Sequence, residues 1–419
     1  MENKKRRKKQ KKQAVALLLC MALTTGLLSG CATWDHFVAG LQGEEARAQE
    51  AAEEVRIGIF EPITGTDKRG AAEEIRGIEL AHQLFPDVLG KPVKLVYGDN
   101  QSDMNRAEAA ATELVNSRVS VVLGSYTSTL SLLGSDVFAE AEIPVIGITC
   151  TNPILTKSCD YYARVCFIDA FQGDAAARYV FESLKESKAI ILKEQDNDYA
   201  AAMAKQFSQT MVSLLEQSFD GQVEIAETSV VYTVEYAKGT EDFTEQKRAI
   251  RMSAGDCKVV FLPSDAQTAL AVMEAMADMN LIFVGTDRWE QDAFLQSGSP
   301  AIEGARFTTL YDAESDLTTM SAVFLEAYRE AYGEDTQPSN AEALGFDAYL
   351  LALSAIEEAG DSRNGALIMR KMTGIRELEG ATGTITLNAD GDPIKPVVII
   401  RMEKGEMVHE YTVEPDWGG

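Results

Sequence analysis

Two short hydroxyl-rich segments, Gly124-Ser125-Tyr126-Thr127-Ser128-Thr129 and Thr149-Cys150-Thr151-Asn152, carry the side chains best suited to hold a small polar ligand. Each follows an apolar run, Val121-Val122-Leu123 or Pro144-Val145-Ile146-Gly147-Ile148, of the kind a buried parallel strand shows. The spacing predicts strand, turn, helix, strand, turn, which puts both segments at the carboxyl ends of successive strands, where open α/β sheets bind ligands. A helix N-terminus with small hydroxyls suits a carboxylate or another anion. Ser and Thr are also preferred N-caps, so capping alone explains either turn taken singly. Two of them, one strand apart, point to a binding site.

Catalysis has little support. The only histidines are His36, His82 and His409, and no G-x-S-x-G elbow places a nucleophile for a Ser–His–Asp triad. No Gly-rich phosphate loop with its Lys is present. Asn388 to Asp392 starts like a calcium loop, but Ile399 stands where the distal Glu is required, and a hairpin turn explains the segment. Cysteine and histidine spacing suggests no metal site, and no cofactor is expected. Cys150, Cys159, Cys166 and Cys257 could pair in an exported protein. Cys150 and Cys159, which flank one loop, are the favoured pair.

The first residues set the expected compartment. Eight Lys/Arg between Lys4 and Lys12 precede an apolar stretch from Ala14 to Leu28, closed by Leu28-Ser29-Gly30-Cys31. This is a secretory signal layout, too short for a comfortable membrane span. Its end resembles a bacterial lipoprotein signal over residues 1–30, which implies lipidation of Cys31 and attachment to the outer face of the cell membrane. Residues 31–53, polar and rich in Ala and Glu, read as a tether. The chain carries a net charge of −26. Loss of residues 1–30 removes a net seven positive charges and takes it to −33, which disfavours nucleic acid as a partner.

The remaining ~365 residues exceed one comfortable core and suggest two lobes. Strands are expected at Val55–Phe60, Pro92–Tyr97, Ala189–Lys193, Glu224–Thr228, Val259–Pro263 and Leu281–Gly285, alternating with helices such as Ala71–Leu84, Arg106–Ser117, Gly173–Lys185 and Pro338–Ala359. This rhythm argues for an α/β fold with parallel doubly wound sheets. Pro396–Met402 and Met407–Thr412 read as a closing hairpin.

The ordered set of Gly65, Asp99-Asn100, Leu123 to Ser128, Pro144-Val145-Ile146, Asp242-Phe243-Thr244, Gly345-Phe346-Asp347-Ala348, and Gly383 to Leu387 with Gly391-Asp392 spans nearly all of 54–405. With it the body resembles the type I periplasmic solute-binding proteins, specifically the branched-chain amino acid-binding family of ABC transporters. The resemblance implies two Rossmann-like lobes, 54–169 plus 312–386 and 170–311 plus 387–419. Three crossings would join them, near Ile168–Phe171, Leu310–Ala313 and Thr386–Ala389. It further implies a monomeric, non-enzymatic receptor that encloses an amino acid and delivers it to ABC permease subunits. A sensing module for a membrane receptor, or a binder of an amide or nucleoside-like solute, is the alternative; a surface hydrolase is the third.

By position in that family, Ser128 matches the carboxylate-holding serine and Thr151 the threonine that bridges carboxylate and ammonium. Thr149 matches a backbone carbonyl for the ammonium. Asp287, after Gly285-Thr286, matches the ammonium's acid, one carbon shorter than the usual Glu, or else caps its turn. Tyr199 matches an aromatic facing the cleft. Asp265 stands where leucine-binding relatives carry an aromatic, and either signals a more polar or cationic ligand or is a cap. Tyr126 and Trp289 either wall the side-chain pocket or are ordinary partly buried aromatics.

Overall fold

The computed structural model describes residues 54–219, 224–253, 255–312 and 318–415. The expected signal, Cys31 and tether lie outside the described residues, as does Ala313 of the second crossing.

The strands β1 (Val55–Glu61), β2 (Asp87–Val88), β3 (Lys91–Asp99), β4 (Val121–Gly124), β5 (Val145–Gly147) and β6 (Tyr162–Arg164) form one sheet in the order β2-β3-β1-β4-β5-β6. β4 pairs with β1, β5 with β4 and β6 with β5, all parallel, while the short β2 is antiparallel to β3. A second sheet gathers β7 (Ala189–Glu194), β8 (Val231–Tyr236), β9 (Val259–Phe261), β10 (Ile282–Gly285) and β11 (Arg306–Thr309), again parallel. A two-stranded ribbon, β12 (Leu378–Gly380) and β13 (Gly383–Ile385), precedes the antiparallel hairpin of β14 (Val397–Glu403) and β15 (Glu406–Val413). That hairpin joins the second sheet at β11, giving β15-β14-β11-β10-β9-β7-β8. Val121, Val122 and Leu123 are completely buried, as expected of a parallel strand covered by helices on both faces.

One strand is misplaced by the sequence reading. The segment 224–228 is not a strand; a short helix, Glu227–Val230, leads into β8 instead. β8 lies at the sheet edge and alternates half-buried and exposed positions between the buried anchors Val231 and Tyr236, anchors that the acidic 224–228 segment lacks. The favoured disulfide is also corrected. All four described cysteines are free thiols, and Cys150 Sγ donates to Ser125 O (2.6 Å) while Cys159 Sγ is directed at Ser135 O (3.9 Å). The two sulfurs engage opposite ends of one segment and do not meet.

The chain leaves the first sheet after β6, returns after β11, and enters the second sheet again at β14. On the return, helix Asn340–Ala359 packs against helix Lys68–Leu84. Gly77 and Gly345 allow the contact: a Cβ on Gly77 would collide with Glu342 O, and one on Gly345 with Glu74 O. Two buried ion pairs fix the last passage. Arg164 Nε lies 2.8 Å from Asp392 Oδ1, and Lys395 Nζ lies 3.2 Å from Asp347 Oδ2. Asp347 also accepts from Ala381 N (2.5 Å) and Thr382 N (3.2 Å). The charges are therefore both paired and hydrogen-bonded, the condition under which burial is tolerated.

Candidate ligand-binding site

The two hydroxyl turns leave β4 and β5 side by side. Gly124, at φ +115°, ends β4 in a conformation that only glycine adopts freely, and a Cβ there would strike Glu61 Oε1. Thr127 then caps helix Ser128–Glu140 by accepting from Leu130 N (3.5 Å), so the first N–H groups of that helix have no intrahelical acceptor. Asn152 N donates to Ser128 Oγ (3.5 Å), and the Thr149 hydroxyl reaches Tyr126 O (3.4 Å). Ser128, Thr149 and Thr151 are all half-buried, and the structure brings them together.

Arg164 holds the second turn in place. Its guanidinium donates to Cys150 O (2.6 Å), Asn152 O (3.0 Å) and Thr156 Oγ1 (3.0 Å). Arg164 thus ties the turn to Asp392 in the third passage.

The second sheet contributes an acidic group of residues. Asp287 follows β10 in the short helix Asp287–Trp289; its backbone N–H donates to Gln172 Oε1 (3.3 Å), and Gln172 also accepts from Thr308 Oγ1 (2.8 Å). As a residue Asp287 is half-buried, but its Oδ1 is shut off from solvent and has no hydrogen-bond partner. Asp169, at the first passage, likewise has a buried, unpartnered Oδ1, while its backbone N–H donates to Thr151 O (3.1 Å). Burial, opposed by Arg288 and by a hydrogen bond from Gln172 and reinforced by the neighbouring Asp169 carboxylate, pushes Asp287 up to about 6. Burial also raises Asp169, against a hydrogen bond from Thr151 and the charge of Arg288. Tyr199 donates from its hydroxyl to Thr286 Oγ1 (2.9 Å), and Arg288 Cζ lies 3.5 Å from its ring centre, a cation–π contact at the open edge of the group.

Tyr126 belongs to the first turn and is half-buried. Its ring lies against Gly70, and its phenol is pushed up to about 12 by burial and by Glu74, Glu73, Asp67 and Asp287. An acid after β10 therefore acts on a phenol after β4.

Two expected residues stand elsewhere. Trp289 does not wall a pocket: it is 0% exposed, lies over Gly285, and packs on Phe294 (5.3 Å) and Phe307 (6.5 Å) in the core beside the second sheet. Asp265 is exposed and caps helix Ala266–Ala275, accepting from Thr268 N (2.9 Å) and Thr268 Oγ1 (3.0 Å). Both of its oxygens are engaged by its own helix.

Sequence reasoning missed Asp169, Gln172, Arg164, Glu61 and Glu74. Glu74 had a signal, because Ala71, Glu74, Ile78 and Ala81 share the buried stripe of their helix at spacings of three and four. Glu61 had one too, as a charge ending the apolar run of β1.

The raised acids carry a prediction. Burial pushes Glu74 up to about 7, with the Thr149 hydroxyl opposing, and pushes Glu290 up to about 7, with Thr309 and Asn340 opposing. An acid raised in the fold binds protons there at a pH where the unfolded chain has released them. The ionisation penalty is thus fully present above pH ~7 and relieved as pH falls through ~7 and ~6. Calorimetry of the ligand-free protein should show Tm rising between pH ~8 and ~5; a Tm that falls across that window contradicts this electrostatic picture.

The periplasmic binding protein family profile matches residues 54–406. The chain belongs to that family, in its type I branched-chain amino acid branch of ABC transporters. It is 24% identical over 370 residues to the Leu/Ile/Val-binding protein homolog 3 of Brucella melitensis, covering 86% of this chain and 95% of that one. Among solved structures it resembles the leucine binding protein LivK of Thermotoga maritima (TM-score 0.73, 27% identity, 86% and 99% covered). It also resembles LivJ of Streptococcus pneumoniae, a structure in complex with isoleucine (TM-score 0.69, 25% identity, 86% and 99% covered). The chain is a solute-binding protein rather than an enzyme, with parallel-dominated sheets in two lobes.

Proposed function

We propose that the chain is the lipid-anchored, extracytoplasmic receptor of an ABC importer and captures an L-amino acid between its lobes. The observation that carries this reading is the pair of buried, unpartnered oxygens, Asp287 Oδ1 and Asp169 Oδ1, facing a site whose other side offers hydroxyls and a helix N-terminus. Buried acceptors without donors are costly, and an α-ammonium satisfies them. The α-carboxylate is held by Ser128, Thr151 and the first N–H groups of helix Ser128–Glu140. The carbonyl of Thr149 completes the ammonium's shell. Tyr199 and Tyr126 border the ligand, with Tyr126 on the side-chain end.

The lobes in this reading are 54–169 plus 312–386 and 170–311 plus 387–419, and the protein works as a monomer. Ligand contacts that span both lobes favour the closed arrangement and so drive a hinge population shift, which the permease subunits read. Residues 1–30 direct export, and Cys31 bears the lipid. Among the described residues no helix is long and apolar enough to cross a membrane.

A thermal-shift screen against amino acids, amides, nucleosides and aromatic acids tests the reading. Ligand at a hundred times its Kd adds about 2.7 kcal/mol, which moves Tm by several degrees. A response confined to amides or nucleosides overturns the assignment of Asp287.

A further inference from the structure

Glu61 and Glu74 have no part in the α-carboxylate and α-ammonium contacts, and both are 0% exposed. Tyr126 N donates to Glu61 Oε2 (2.8 Å), and the Thr149 hydroxyl donates to Glu74 Oε1. Glu61 Oε1 and Glu74 Oε2 have no hydrogen-bond partner among the described residues; the groups that hold the two carboxyls meet, the Thr149 hydroxyl lying 3.4 Å from Tyr126 O, and the carboxyls act on each other. The groups acting on them are acids as well: Glu73 from the same helix as Glu74, and the Cys150 thiol from the second turn. Above the pair, Tyr126 feels Glu74, Glu73, Asp67 and, from the second sheet, Asp287. Two adjacent buried carboxyls with no cation acting on them among the described residues resist ionising together, which favours one proton shared by the pair without ligand.

The position of the pair gives this arrangement a use. Glu61 ends β1, and the pair is bonded to the backbone of Tyr126 and the side chain of Thr149, the same two turns that frame the site. We propose that Glu61 and Glu74 form a subsite for a second cation on the ligand, so that the captured solute is an amino acid with a basic side chain, such as lysine, ornithine or arginine. This rests on the amino acid reading above. The side-chain ammonium or guanidinium takes the place of the shared proton, which leaves to solvent. A guanidinium offers five donors in a fixed fork, enough for both free oxygens, and the Tyr126 ring provides a face for it. An aliphatic side chain would leave the pair as it is and gain nothing from it.

Calorimetry of the purified protein with L-arginine, L-lysine, L-glutamine and L-leucine, in two buffers of different ionisation enthalpy, reads affinity and proton release together. Arginine or lysine should bind at least ~10-fold tighter than leucine and release up to about one proton per ligand near pH ~7. In Glu74→Gln, which keeps the side-chain shape, the ratio of arginine to glutamine affinity should fall ~10- to 100-fold and the proton release should vanish. Glu61→Gln provides the same reading if the first variant fails to fold. A preference for leucine without proton exchange overturns the subsite while leaving the amino acid reading in place; silence towards all four ligands overturns both.

Discussion

Asp287→Ala is expected to weaken amino acid binding by ~10²–10⁴-fold, the size of effect that follows when one partner of a buried charge pair is removed and the other is left stranded, ~3–5 kcal/mol. The side chain sits in the short helix after β10 with Oδ1 enclosed and unpartnered, which in the proposed site places it to meet the ligand's ammonium. The same substitution should act in the opposite direction on the empty protein. Burial, with Asp169 nearby, raises the acid to about 6, so removing it relieves an ionisation penalty at neutral pH, and the ligand-free Tm should hold or rise. Calorimetry and thermal unfolding on one preparation check both signs. Unchanged affinity, or a loss of affinity that merely follows a fall in Tm, would place the ammonium elsewhere.

Arg164→Met should destabilise the fold by ~3–5 kcal/mol, because it leaves Asp392 buried without its cation. Arg164 is 0% exposed and joins Asp392 at 2.8 Å to the carbonyls of Cys150 and Asn152. Its loss therefore unfastens the second hydroxyl turn from the third passage, and affinity should fall together with stability. Lys395→Met tests the contrast. Asp347 would keep its bonds from Ala381 N, Thr382 N and the Thr382 hydroxyl, so the cost should be smaller. Denaturant unfolding of both variants measures the difference, and an equal or larger loss for Lys395→Met would contradict this reading of the two pairs.

The fold was legible wherever burial imposes a period on the sequence. β4 and β5 are short apolar runs closed by hydroxyls, and helix Asn340–Ala359 is announced by Ser339 with Glu342, which form a capping box. β8 was misread because an edge strand needs only one apolar face, and the acidic residues before it carry no period. Some ordered motifs turned out to have another role. Asp347 and Asp392, read as family markers, belong to buried ion pairs at the passages between the sheets. Their partners Lys395 and Arg164 lie 48 and 228 positions away in the chain, and no local pattern links residues so far apart.

The site divides along the same line. The positions of Ser128, Thr149 and Thr151, just after β4 and β5, were legible because they follow predictable strand ends. The position of Asp287 just after β10 was legible for the same reason. Trp289, two residues further on, could not be assigned to core or pocket from sequence, since a 3₁₀ turn after β10 rotates it inward over Gly285. Asp169 and Gln172 open the helix after the first passage, and only the pairing of two separate sheets brings them to Asp287. Glu61 and Glu74 were individually odd, as charges at apolar positions, but their adjacency is a property of the packed lobe.

The central claim is that the site recognises a free α-ammonium beside an α-carboxylate. Titrating the protein with an amino acid that shifts its Tm, and then with the N-acetyl derivative of that amino acid, tests this most directly. The account predicts binding of the free amino acid and at least ~100-fold weaker binding of the acetylated one, since acylation removes the charge that Asp287 and Asp169 are placed to meet. Equal affinity for the two, or binding of simple aromatic acids in place of amino acids, would contradict it.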